Sequence, residues 1–145
     1  MSDSWSITTP QDKYFQPYNS KHMKIVEMNE KVTLSTQLQQ QDVGAVIQIS
    51  TYTVNPEDID QFLKTWASAA EIAKKAMPGV ISAQLHRGIA GSSVFVAYLV
   101  FESTEAIKQL NKNPDFPAIL STYPASTVVS PHLFKKVAVP GICVD

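Results

Sequence analysis

Residues 78–103, PGVISAQLHRGIAGSSVFVAYLVFES, decide the fold of this chain. From Val80 to Arg87 the sequence alternates, with Ile81, Ala83, Leu85 and Arg87 on one face and Ser82, Gln84 and His86 on the other. That period of two is the signature of a strand. Gly88, Gly91, Ser92 and Ser93 follow, residues that make turns or tolerate positive φ. Val94 to Glu102 is then rich in valine and aromatic residues, as strands are. The stretch predicts two strands joined as a hairpin, with a His-Arg pair at the end of the first, where a small-molecule site can form.

Working outward, Ala45 to Val54 (AVIQISTYTV) reads as an earlier strand. Val46, Gln48, Ser50, Tyr52 and Val54 share one face, and Ala45, Ile47, Ile49, Thr51 and Thr53 the other. Asn55-Pro56-Glu57-Asp58 has the composition of a helix start: a capping side chain, a proline at the first position and acids near the positive end of the dipole. Ile59, Phe62, Leu63, Trp66, Ala70, Ala73 and Met77 recur at helical spacing until Pro78-Gly79 stops the helix. After the hairpin, Ser103 or Thr104 caps a second helix over Glu105 to Asn111. Pro114 to Leu120 suits another turn or two, Tyr123-Pro124 breaks the chain, and His132 to Val139 (HLFKKVAV) supplies a last strand.

The order strand, helix, strand, strand, helix, strand predicts an α+β, ferredoxin-like βαββαβ antiparallel sheet with its helices on one face. The strands are apolar on both faces, yet an antiparallel sheet with a wet face should alternate cleanly. The uncovered face therefore needs a partner sheet, and a second copy of the chain supplies one, so a homodimer is expected.

The chain has 145 residues, 44% hydrophobic and 17% charged, as one soluble domain would. A net charge of −1 lacks the basic footprint of a nucleic-acid binder, and no apolar run approaches a membrane span. The first residues show no secretory pattern, which predicts a cytoplasmic protein. A single cysteine, Cys143, excludes an intrachain disulfide and a cysteine-rich metal site. Residues 1–44 read as an extension rich in Ser, Thr, Gln, Asn and Lys, with a short edge strand expected over Lys31 to Thr36. That extension is either flexible or an arm packed on a partner subunit, the second motivated by Trp5, Tyr14, Phe15 and Tyr18. Residues 45–140 form the domain and 141–145 a tail.

Five pieces in order, TYTVNPEDIDQF, PGVIS, LHRGIAG, VFVAYLVFES and NPDF, resemble the antibiotic biosynthesis monooxygenase family, small proteins whose dimers form α+β barrels. The resemblance runs from about Val46 to Val139. It departs at Phe101, where the family usually has tryptophan, and in the long N-terminal extension. It implies an enzyme of aromatic or polyketide-like molecules: a cofactor-independent monooxygenase using O2 as co-substrate, with no metal, flavin or haem. Cyclases, dehydratases and isomerases on similar barrels, and a non-catalytic dimeric binding protein, are the alternatives. Resembled haem degraders need an asparagine on the first strand and a histidine on the second helix, and both are missing here.

Such chemistry needs an aromatic pocket that excludes water, a base, and groups that stabilise an anion beside oxygen. Trp66, with Phe62 one turn earlier, is either a core residue or a pocket wall whose indole N–H meets a substrate oxygen. His86 is a candidate general base, or else a structural histidine at the strand end. Arg87 points to the other face as a rim or ion-pair residue. Gln48 and Tyr52 on the first strand and Tyr98 on the third offer hydrogen bonds to a ligand or simple packing. Phe116 and Tyr123 lie in a proline-bounded segment that suits a pocket lid. The candidate catalytic set is thus His86, Trp66 and Tyr98, with Phe62, Gln48, Tyr52, Arg87, Phe116 and Tyr123 binding substrate and no metal ligand.

Overall fold

A computed structural model describes residues 22–76 and 79–143. Its elements run β1 (Lys24–Ile25), α1 (Leu34–Leu38), β2 (Val46–Thr53), α2 (Ile59–Ala76), β3 (Val80–Arg87), β4 (Val94–Phe101), α3 (Thr104–Lys112), α4 (Asp115–Leu120) and β5 (Val128–Phe134). They build one sheet in the order β1-β5-β2-β4-β3. β2 lies antiparallel between β4 and β5, β3 pairs antiparallel with β4, and β1 adds a short parallel edge to β5. Without β1 this is the expected ferredoxin-like arrangement, and the helices cover one face.

The core between helices and sheet divides into two clusters. An aliphatic one joins Val46, Phe101 and Leu133 of the sheet to Ala73 of α2 and to Ala106, Ile107 and Leu110 of α3. The other is aromatic and joins Val54, Phe62, Phe95 and Tyr123. Phe62 is fully buried, so truncating it to alanine would cost about 3–5 kcal/mol. Ser103 caps α3 by accepting a hydrogen bond from the Ala106 N–H at 3.1 Å.

Several elements differ from the sequence expectations for nonlocal reasons. The buried face of α2 is Phe62, Thr65, Ala69 and Ala73, while Leu63 is exposed. Thr65 is tolerated there because the Thr122 hydroxyl lies at 3.0 Å and Gln61 donates to its oxygen at 3.0 Å. Asn55 makes no side-chain cap. A 3-10 turn over Pro56–Asp58 precedes α2, and the Asn55 N–H donates instead to the Ser126 hydroxyl. Ile81 is an extra residue in a β-bulge, since Val80 opposes Phe101 while Ser82 opposes Val100. It therefore leaves the face of Ala83, Leu85 and Arg87 and stands exposed.

The segment expected as an edge strand over Lys31 to Thr36 instead ends in helix α1. The Thr33 side chain caps it at the Thr36 N–H, the Glu27 carboxylate accepts the Leu34 N–H at 2.9 Å, and Leu34 and Leu38 pack on the aliphatic cluster. The last strand starts four residues earlier than expected and stops at Phe134. Trp5, Tyr14, Phe15, Tyr18 and Met77 lie outside the described residues.

Gly79 ends the α2–β3 connection in close contact with α3. A Cβ on it would sit 2.5 Å from the Ala106 Cβ, and its carbonyl accepts the Glu102 N–H at 2.8 Å. Gly79→Ala must push α3 away from the sheet. A loss of about 1–3 kcal/mol is expected, read as a lower midpoint in thermal unfolding. An unchanged midpoint would show that α3 yields without cost.

Candidate functional site

Directly opposed residues of an antiparallel pair share a face. Register therefore sorts the candidate residues between the two sides of the sheet. On the helix side Tyr52 sits between Phe95 and Val129, Ser50 between Ala97 and Pro131, and Gln48 between Leu99 and Leu133. Leu85 and Arg87 of β3 join the same side, opposite Ala97 and Phe95. On the outer side lie Gln84, Tyr98, Ile49 and His132 in one row, and His86, Val96, Thr51 and Ser130 in the next.

The structure thus brings together Gln48, Tyr52, Phe62, Trp66, Arg87 and Tyr123. His86 and Tyr98 stand on the opposite face of the sheet, and Phe116 packs beside the aliphatic cluster with α3. Tyr52 meets Phe62 edge-on with centroids 5.1 Å apart and stacks on Tyr123 at 6.0 Å. Phe62 lies 4.7 Å from Phe95 and 5.6 Å from Tyr123. Trp66, Ile59, Leu85 and Leu120 pack around this group. Arg87 is the rim. Its guanidinium stands 5.5 Å over the Phe95 ring, while its Nε and Nη2 donate to the Ser92 and Gly91 carbonyls at 2.7 and 3.2 Å.

Inside the aromatic group runs a seam of neutral polar atoms. Burial pushes the Tyr52 phenol up to about 12, while hydrogen bonds from Tyr123, Ser50 and Trp66 pull it the other way. Burial, and then the neighbouring Tyr52, raise Tyr123 as well, so both phenols stay protonated near neutrality. Ser50 is buried and takes a long 3.4 Å hydrogen bond from the Gln48 amide. Such a seam can donate hydrogen bonds to a ligand oxygen within an apolar, aromatic wall. Among the described residues the group holds no carboxylate, imidazole or amine of its own. Ser50 earns its place through burial between Ala97 and Pro131, which its alternation in β2 suggests but local sequence does not single out.

A second polar feature lies at the edge of β5. Gln37 of α1 grips the backbone of Leu133 with both ends of its amide, accepting from the N–H at 3.0 Å and donating to the carbonyl at 2.9 Å. These two bonds fix which end is nitrogen. That nitrogen also lies 3.2 Å from His132 Nε2, so the imidazole must accept there and carry its proton on Nδ1. Nδ1 is buried with no partner among the described residues. Sequence reading passed over this pair because Gln37 and His132 are far apart in the chain. Elsewhere a polar surface hollow of about 410 Å³, lined by Gln41, Asp42, Ser103, Glu105 and Lys108 among others, lies away from the aromatic group. Among the described residues no helix is long and apolar enough to cross a membrane, and no cluster of three His, Cys, Asp or Glu residues suits a metal ion.

Desolvation lowers the His132 pKa below its ordinary 6.5. A histidine that binds its proton less readily when folded contributes stability above the unfolded value and loses it as pH falls through the native value. Protonation would also set an Nε2–H against the Gln37 NH2. Wild type should therefore lose thermal stability from pH 7 to pH 5 more steeply than His132→Gln, which offers Gln37 an acceptor without a charge change. Parallel slopes in the two proteins would remove His132 as the group responsible.

A family model for antibiotic biosynthesis monooxygenases matches residues 45–121. Among solved structures the chain resembles SnoaB, a cofactor-independent oxygenase from Streptomyces nogalater, with TM-score 0.60, 19% identity, and coverage of 68% of this chain and 99% of that one. A provisionally named antibiotic biosynthesis monooxygenase from Caulobacter crescentus gives TM-score 0.56 and 22% identity over 72% of this chain and 98% of its own. Rv0793 from Mycobacterium tuberculosis gives 0.57 and 13% over 67% and 99%. No curated protein matches the chain. These structures share the fold, and the family match spans more than half of the sequence: the chain belongs to the antibiotic biosynthesis monooxygenase family.

Proposed function

We propose that this protein is a cofactor-independent monooxygenase that oxidises an electron-rich aromatic or polyketide-like molecule with O2. The observation that carries the reading is the buried seam of neutral donors, Tyr52, Tyr123, Ser50 and Trp66, set inside the Phe62–Phe95 aromatic group. Family membership supports the oxidative chemistry, and the SnoaB structure is that of a cofactor-independent oxygenase.

In this reading the substrate supplies the electrons. An anthrone or phenol loses a proton, its anion passes one electron to O2, and the two radicals join in a C–O bond. The resulting peroxide takes a proton back from solvent and loses water to leave the quinone, with one oxygen atom in the product and one in water. Tyr52, protonated near neutrality, donates to the oxygen on which the anion's charge collects, which lowers the barrier to forming it. With no base among the described residues of the aromatic group, the proton passes to solvent, which suits a substrate that is already acidic. A cyclase or isomerase would use the same neutral donors to stabilise an enolate without consuming oxygen.

Oxygen uptake by chelator-treated protein with anthrone, above the autoxidation rate, is the expected result. Tyr52→Phe should lower kcat about a hundredfold with little change in KM, as loss of one donor to a developing oxyanion does. Substrate turnover without oxygen uptake would favour the cyclase reading.

The same reading makes the working unit a homodimer of cytoplasmic protein, with neither nucleic acid nor membrane as partner. The outer sheet face carries Ile47, Ile49, Val96, Val100 and Phe134, and a second sheet would cover it. Sedimentation should give a dimer that Ile49→Asp converts to monomer. A dimer untouched by that charge would place the interface elsewhere.

A further inference from the structure

Residues 22–44 precede the segment that matches the family, yet they reach the aromatic group. The Lys24 and Val26 N–H groups donate to the Thr127 and Val129 carbonyls, both at 2.9 Å, which pins β1 along the edge of β5. Alternation turns Lys24 and Val26 outward, where they are exposed, and Met23 and Ile25 inward, where they are partly buried. Met23 packs against the group formed by Val54, Phe62, Phe95 and Tyr123, to which Tyr52 and Trp66 also belong. Its position is held from both sides. Upstream lie the β1 hydrogen bonds; downstream the Gln37 amide holds Leu133, and the Thr104 hydroxyl donates to the Gln40 carbonyl at 2.7 Å.

We propose that Met23 is a specificity-determining wall of the aromatic pocket, limiting the size of the fused-ring phenol that can enter. The inference rests on the aromatic-pocket reading above and adds the residue that sets its depth. A thioether on an unbranched stem fills irregular space without a fixed shape, so the wall is adaptable yet still excludes volume. Shortening it opens space beside that group; enlarging it pushes further into the group.

The test is equilibrium dialysis of the full chain under argon, where binding is read without turnover, using 2-naphthol as a two-ring probe and 1-hydroxypyrene as a four-ring probe. Met23→Ala should improve the affinity ratio in favour of the four-ring probe by about tenfold, the scale on which a hydrophobic pocket reads a small change in volume. Met23→Leu should leave the ratio near wild type, and Met23→Phe should shift it toward the two-ring probe. Where Met23→Ala fails to fold, the Leu and Phe variants carry the comparison alone. An unchanged ratio across folded variants overturns the assignment. A ring-size shift in a protein that shows no oxygen uptake supports Met23 while removing the oxygenase reading. Absence of binding by either probe to wild type and every variant removes the pocket and Met23's role together.

Discussion

The register of β2 is the constraint on which the rest of the structure depends. All eight of its residues oppose β4, from Val46 against Phe101 to Thr53 against Val94, and seven also oppose β5. Because side chains alternate with period two, a slip of one residue would carry Gln48, Ser50 and Tyr52 to the outer face and bring Ile47, Ile49 and Thr51 inside. The aromatic group would lose the Ser50 and Tyr52 hydroxyls, and the outer face would lose the apolar residues Ile47 and Ile49. Pairing on both edges of a central strand makes that slip expensive, since both ladders must shift together. The positions of Gln48, Ser50 and Tyr52 thus follow from backbone pairing, while Trp66 and Tyr123 are brought to them from α2 and from the turn after α4.

Two ends of one core serve different purposes. Where β2 begins, Val46 meets Phe101, Leu133 and the apolar face of α3, and nothing there needs a hydrogen bond. Where β2 ends, Tyr52 brings a hydroxyl into a group of rings and must find partners for it, because an unpaired buried phenol costs free energy. Tyr123, Ser50 and Trp66 lie close enough to the Tyr52 hydroxyl to offset part of the effect of its burial. In the proposed function a ligand oxygen would compete for the same donors. Small residues lie between the two ends: Ala97 and Ser50 from the sheet, Ala69 from α2, all buried. They separate the rigid aliphatic end from the end where chemistry is argued to occur.

The sequence made the main elements legible wherever the signal was local. The hairpin, the strand through Ile49, the Ser103 cap and the face assignments of His86 and Arg87 all follow from alternation and capping. Other features depend on distant residues. Ile81 departs from its strand's alternation because Gly79 and Glu102 fix the start of the β3–β4 ladder, which forces a bulge that no local pattern marks. Thr65, polar and mid-helix, reads as surface until Thr122 arrives from the turn after α4 to satisfy it. His86 and Tyr98 lie on the outer side of the sheet and Trp66 on the helix side, because chemical type alone does not tell which side of a sheet a residue occupies. Tyr52 faces Phe62 because alternation in β2 and helical spacing in α2 turn these residues toward one another, and the same alternation places Gln48 on the helix side.

The edge of β5 shows how a single backbone problem ties the extension to the site. The Leu133 N–H and the Val129 carbonyl both turn away from β2, toward Gln37 and Val26 respectively, so alternate residues of β5 present their backbone groups to an open edge. Such an edge is an invitation to pair with another chain. Three devices close it in succession: β1 covers Val128 and Val129, Pro131 has no N–H to expose, and the Gln37 amide imitates a strand at Leu133. Proline is tolerated there because the missing donor faces the gap between β1 and α1 rather than the β2 ladder. Covering the edge requires a chain segment that runs along β5 and then returns to α1. A segment pinned in that register, with period-two alternation, must turn every second side chain toward the helix layer. Met23 reaches the aromatic group as a consequence of protecting the edge, which is why a residue outside the matched segment packs against the group where the site is proposed.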